Sequence, residues 1–137
     1  MKKLFRKFIL LLIAEEFYAI PLVKDGKFVD YKQISILPVP QSSKKIIGLT
    51  YLEGKIVTVL NTAKILNLSG GRNNLIFLFE FDHSIYGLAI QGSGEIIKTN
   101  KILINKKREE FKKYIKVKNK KIYILDLEDI FNKISNG

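Results

Sequence analysis

Leu75 to Ile90 reads LIFLFEFDHSIYGLAI. Two runs of Ile, Leu, Phe and Tyr flank the polar DHS, and runs rich in β-branched and aromatic residues around a turn former mark a β-hairpin. Upstream, Phe8 to Leu22 reads FILLLIAEEFYAIPL and has the same form, with strands at Phe8–Ile13 and Phe17–Leu22 around AEE. The second strands carry similar strings, FYAIPL and IYGLAI, with Tyr18 and Tyr86 separated by 68 positions.

Further along each half, a strand beginning at Lys runs straight into a short amphipathic helix. These are KIVTVL (Lys55–Leu60) followed by TAKILNL, and KIYIL (Lys121–Leu125) followed by DLEDIFNKI. The second helix sets Leu127, Ile130, Phe131 and Ile134 on one apolar face, expected to cover the second β unit. Glu128 and Asp129 fall in its first turn, where acids interact favourably with the positive end of a helix. The halves share one order, hairpin, variable stretch, strand, helix, over roughly residues 1–68 and 69–137, joined by the turn-rich SGGRNN (Ser69–Asn74). This is the pattern of a duplication within a single domain spanning 1–137. A half of this size makes a marginal core alone, so the two are expected to pack on each other or share strands.

The chain has 137 residues, 47% of them hydrophobic, and no Cys. Disulfides and thiolate metal sites are thereby excluded, and a reducing, cytoplasmic setting is the default expectation. The start, MKKLFRKFILLLIAEEF, has the basic-then-apolar order of a secretory signal. However, its apolar run Phe8–Ala14 is short, Glu15 and Glu16 stand where small residues belong, and the run cannot span a bilayer. No membrane insertion is expected. The net charge of +11 is local: residues 8–97 sum to zero, while Lys98 to Lys121 carries eleven Lys or Arg against Glu109 and Glu110.

Catalysis finds no constellation. The one His, His83, sits in the DHS turn as a solvated residue, and no second His, Cys or carboxylate cluster completes a metal site. Ser42, Ser43 and Ser93 lack a nucleophile elbow. GSG at Gly92–Gly94 is followed by EIIKTNKILI, which reads as strand where a phosphate loop needs a helix, so these glycines mark a bulge or a close backbone approach. No catalytic residue, metal or cofactor is expected, and the protein is read as a non-enzyme.

The basic segment supports more than one reading. Lys106, Lys107, Arg108, Lys112 and Lys113, interleaved with Phe111, Tyr114 and Tyr123, form a candidate basic patch that could attract phosphates and stack bases, making the protein a small basic β-barrel binder of nucleic acid. The other reading is a solvated Lys-rich face that keeps the protein soluble and discourages edge pairing. Docking to an acidic partner or anionic membrane face through the same patch is a third role for it.

The most specific string is IIGLTYLEGKIVTVLNTAKILNL, Ile46 to Leu68, preceded by ILPVP at Ile36–Pro40. It resembles the signature region of the CheW family of bacterial chemotaxis coupling proteins, whose pattern is approximately P-V-P, then G-V-x-N-L-R-G-x-I-V-P-V-x-D-L. FYAIPL, IYGLAIQGSGEII and KKIYILDLEDIF match further family strings in order, so the resemblance covers essentially the whole chain. It implies an all-β fold of two five-stranded, barrel-like (SH3- or OB-like) subdomains with a hydrophobic core between them and short helices after the last strand of each half. It also implies a non-catalytic adaptor coupling the regulatory domain of a CheA-type histidine kinase to the cytoplasmic tip of a methyl-accepting chemoreceptor. Kinase contact is implied through one subdomain and receptor contact through a groove between the two. By position, Gly48, Tyr51, Leu52, Glu53 and Gly54 match the interaction motif, and Gln91 and Gly92 stand at further candidate contacts. The chain departs from the pattern at Glu53, where the family has Arg, at Gln91 and Gly92, and at Asn61, which replaces the closing Asp. A mating acidic site would be repelled by Glu53.

Overall fold

The computed structural model describes residues 4–22, 26–39, 44–106 and 113–135. In chain order the elements are β1 (Arg6–Ile13), β2 (Glu16–Pro21), β3 (Lys27–Asp30), a single-turn 3-10 helix (Tyr31–Gln33), β4 (Ile46–Leu52), β5 (Lys55–Asn61), α1 (Thr62–Ile65), β6 (Leu75–Phe81), β7 (Ser84–Ile90), β8 (Gly92–Thr99), β9 (Leu103–Ile104), β10 (Lys113–Val117), β11 (Lys120–Ile124) and α2 (Leu127–Ser135).

These strands form a six-stranded sheet, ordered β8-β1-β2-β11-β10-β9, and a five-stranded sheet, ordered β3-β6-β7-β5-β4. Each closes on itself through one bent strand. Beyond β3 the chain passes the 3-10 turn, and Leu37 exchanges backbone hydrogen bonds of 2.7 and 2.9 Å with Leu49 of β4, the opposite edge. The Thr50 hydroxyl donates to the Ser35 carbonyl at 2.7 Å beside this closure. In the six-stranded sheet the two edges, β8 and β9, are consecutive in the chain, β8 pairing with β1 and β9 with β10. The sixth strand is thus the far limb of a bend, and the expected two barrels of five strands are recovered when β8 and β9 are counted as one.

The sheets are assembled across the sequence repeat. Hairpin β1–β2 of the first half joins β8–β11 of the second, while β3–β5 of the first half join hairpin β6–β7 of the second. Four pairings make these joins: β1 with β8 and β3 with β6, both antiparallel, and β11 on β2 (Tyr123 opposite Tyr18) and β5 on β7 (Thr58 opposite Tyr86), both parallel. This reciprocity explains why the hairpin runs are apolar at nearly every position. Phe8 and Leu10 fill the six-stranded barrel, whereas Ile9, Leu11 and Ile13 of the same strand enter the core shared between sheets. Likewise, Ile76 and Leu78 fill the five-stranded barrel, and Phe77 and Phe79 enter the shared core. The signal-like run Phe8–Ile13 is therefore a strand buried on both faces.

The hairpin turns are two residues long, one fewer than AEE and DHS suggested. Ala14-Glu15, Glu53-Gly54, Asp82-His83 and Lys118-Asn119 all have positive φ at both positions, and this backbone matches the twist of the flanking strands. Exposed His83 occupies one of them. The bulge expected near the glycines lies between Ile9 and Leu11 of β1, where Gly94 and Glu95 face the single residue Leu10. A Cβ at Gly94 would come within 2.9 Å of Leu10 and 3.0 Å of Phe17.

Helix starts are capped by short polar side chains. The Asn61 side chain accepts from the Lys64 amide at 3.4 Å, and that of Asp126 from the Glu128 amide at 2.9 Å. Asn and Asp serve almost equally at an N-cap, which accounts for Asn61 standing where the family has Asp. Helix α2 lays Ile130 into the shared core and packs Phe131 against the β6–β7 hairpin, its ring 4.3 Å from Phe81 and 4.5 Å from Tyr86 between centres.

Two substitutions test this architecture by urea denaturation. Phe131→Ala is expected to cost about 3 kcal/mol, and a near-neutral result would make α2 peripheral. Gly48→Ala is expected to cost roughly 2 kcal/mol, because a Cβ there would lie 2.3 Å from the Leu37 carbonyl oxygen that closes the five-stranded barrel.

Candidate functional site

The motif positions Gly48, Tyr51, Leu52, Glu53 and Gly54 all lie on hairpin β4–β5. Strand register divides them by role. Gly48 is buried against the Ile36 side chain and the Leu37 carbonyl, and Leu52 turns inward onto the cluster of Val57, Val59 and Leu78. Tyr51 faces out, opposite Ile56, on the face that also carries Leu49 and, across the closing bridge, Leu37. Leu37, Tyr51 and Ile56 are 71%, 70% and 65% exposed. A cluster of large apolar side chains held in water on a rigid hairpin is the form of a protein-binding surface.

Glu53 sits at the turn beside this surface, and Lys27 of β3 donates to its Oε1 at 2.7 Å. That hydrogen bond, then the charge of Lys27 and, more weakly, of Lys55, hold the carboxyl below the ordinary glutamate range against a small opposing desolvation. The negative charge that replaces the family's Arg thus has a local cation, 26 positions away in sequence and adjacent in the fold. Behind the pair opens a pocket of about 220 Å³ between Leu52, Val57, Leu78 and Ile85.

A second apolar surface lies on the six-stranded sheet and escaped the sequence reading. Lys7 of β1 stands opposite Lys98 of β8, Ile9 opposite Ile96, and Leu22 donates its amide to the Lys7 carbonyl on the other side. Paired residues share a face, and alternation adds Phe5, whose ring lies 5.2 Å beneath the Lys98 ammonium. Phe5, Leu22 and Ile96 are 54%, 43% and 56% exposed around the two lysines. The same face of β1 carries Ile9 and Leu11 into the shared core, so this surface is the solvent margin of that core. The period-two placement of Phe5, Lys7 and Ile9 was the signal available for it.

Gln91 and Gly92 occupy the crossover from β7 to β8. Gln91 Oε1 accepts from the Glu15 amide and its Nε2 donates to the Glu15 carboxylate, both at 2.9 Å, while its backbone amide donates to Leu12 and its carbonyl accepts from Asn74. These bonds tie the first hairpin turn to the passage between barrels, on different elements from Tyr51 and Glu53. Of the candidate basic patch, Lys106 and Lys113 are exposed, whereas Lys107, Arg108 and Lys112, with Ser42 and Ser43, lie outside the described residues. Among the described residues, no three His, Cys, Asp or Glu side chains come together to hold a metal, and no helix is long and apolar enough to cross a membrane.

The Lys27–Glu53 pair predicts a titration. A carboxyl with a lowered folded-state value contributes stability above its unfolded value and loses it as pH falls through the folded one. Both groups are exposed, so the effect on stability is small, and the readout is the carboxyl itself by NMR. Lys27→Ala is expected to raise the Glu53 midpoint toward that of an ordinary glutamate, and an unchanged midpoint would place the cause elsewhere.

Among solved structures, the chain is similar to the scaffolding protein TtCheW from Thermoanaerobacter tengcongensis, at 24% identity and a TM-score of 0.80, over 92% of each chain. This likeness bears on the fold. No curated protein matches the sequence. The family model described as the CheW-like domain matches residues 7–135. With the two closed barrels, the shared core and the hairpin motif in one chain, the protein belongs to the CheW-like domain family.

Proposed function

We propose that the protein is a non-catalytic chemotaxis adaptor that couples the regulatory domain of a CheA-type kinase to the cytoplasmic tip of a chemoreceptor. The observation that carries this reading is the presence of two separate exposed apolar surfaces, one on each barrel. An adaptor must hold two partners at once, and a protein with a single docking face cannot.

The hairpin surface around Tyr51 and Ile56 is assigned to the kinase, since it holds the positions that match the family's interaction motif. The surface around Phe5, Leu22 and Ile96 is assigned to the receptor, since it lies at the margin of the core between barrels, where the family places its receptor groove. Binding energy at such surfaces concentrates in a few apolar and aromatic anchors that become fully desolvated. Tyr51, exposed on a strand held by β5 along one side and by the Leu37 bridge at Leu49 on the other, is preorganised for that role. Glu53 adjusts selectivity at the rim: paired with Lys27, it presents a near-neutral couple where Arg would present a cation.

Binding of the purified chain to kinase regulatory domain and receptor fragment from the same organism tests this. Tyr51→Ala is expected to weaken kinase binding at least tenfold and leave receptor binding unchanged, with the converse for Ile96→Asp. Glu53→Arg is expected to change kinase affinity while shifting stability by only about 0.5 kcal/mol. Loss of both partners from either apolar substitution, with the fold intact by circular dichroism, would refute two independent surfaces. Absence of binding by the unaltered protein at high micromolar concentration would remove the chemotaxis role.

A further inference from the structure

The β10–β11 hairpin ends in a ribbon that the adaptor reading leaves unused. β11 pairs with β2 only at Tyr123 and Ile124, and β10 with β9 only at Lys113 and Tyr114. Beyond Ile115 and Ile122, which are buried in the barrel, the tip has no third strand beside it among the described residues. It consists of Lys116, Val117, the turn Lys118-Asn119, Lys120 and Lys121.

Lys116 and Lys121 face each other directly across the ribbon. Like charges at opposed positions destabilise a hairpin, so this arrangement costs stability in the free protein. Lys120, opposite Val117, points to the other face, and Lys118 projects from the turn. Val117 rests on the barrel core, so the free face of the tip is the one with Lys116 and Lys121, while exposed Lys118 and Lys120 stand at the turn. The exposed residues of the tip include no large apolar side chain, and Tyr114, at its base, has the Lys121 ammonium 5.0 Å above its ring.

We propose that this ribbon tip enters the major groove of duplex DNA and binds it through the phosphates, independently of sequence. A two-stranded ribbon has the width that groove admits, and a ribbon laid in it by its Lys116–Lys121 face has a phosphate row along each strand, matching one lysine on each. An anionic membrane surface would also use exposed apolar residues, which the tip lacks. All the cations are Lys, point charges without the planar fork that reads guanine, so contacts go to the backbone.

Fluorescence anisotropy of a labelled duplex of arbitrary sequence, titrated with the full chain, tests the proposal. Binding is expected near 50 mM salt, with log K falling against log[salt] at a slope of about −3.6 for four neutralised phosphates. Replacing Lys116, Lys118, Lys120 and Lys121 together by Gln is expected to abolish measurable binding, whereas replacing the four by Arg preserves it. Replacing Lys32 and Lys64, on the other barrel, by Gln leaves it unchanged. Lys116→Glu, which converts the opposed lysines into an ion pair, is expected to raise Tm while weakening binding. The proposal is overturned if the duplex does not bind at 50 mM salt, if the four-Gln variant binds as well as the unaltered protein, or if anionic phosphatidylglycerol vesicles compete for the tip more strongly than duplex does.

Discussion

The pairings that cross the repeat, β1 with β8 and β2 with β11 in one barrel and β3 with β6 and β5 with β7 in the other, are the interactions on which the rest of the molecule depends. Each ties a hairpin from one half of the chain to strands from the other, so neither barrel can close until both halves are present. The parallel pairings join residues more than a hundred positions apart in one barrel and fewer than thirty in the other. Such non-local pairing pays loop-closure entropy before any packing is gained, and it places the fold among the slower β topologies. What offsets that cost is the shared core, into which β1, β2, β6 and β7 each send one face while their other face fills a barrel.

The hairpins were legible because burial on both faces leaves little room for polar residues, giving FILLLI and LIFLF. The order of elements in each half was legible from the same strings. Which half each hairpin would join was not, since a strand's composition does not record its neighbour. Turn length was overestimated by one residue at AEE and DHS because Glu15 and His83 adopt positive φ, a conformation their residue types do not advertise. The capping role of Asp126 was available as the acid preceding the helical run.

The site was partly legible in the same sense. The family resemblance led to hairpin β4–β5, and register then separated inward Gly48 and Leu52 from outward Tyr51. Period-two spacing puts Phe5 and Lys7 on one face, but the exposure of Leu22 and Ile96 could not be read, because an apolar residue at the margin of a core looks in sequence like one inside it. The departures from the family find local physical partners: Lys27 for Glu53, the α1 N-cap for Asn61, and a ring of hydrogen bonds around Gln91. Gln91 belongs as much to the passage between barrels as to any contact surface.

Reciprocal exchange of hairpins is also the topology of a strand-swapped dimer whose two copies have been fused through Ser69–Asn74. Two separate copies would be bound by symmetry, so that every change to a contact surface appeared twice. Fusion lifts that restriction while leaving the interlocked strands in place. One barrel presents an apolar hairpin, and the other carries the denser run of lysines, although the two remain inseparable as folding units. The interlock conserves the scaffold, and the covalent link is what lets its two ends diverge.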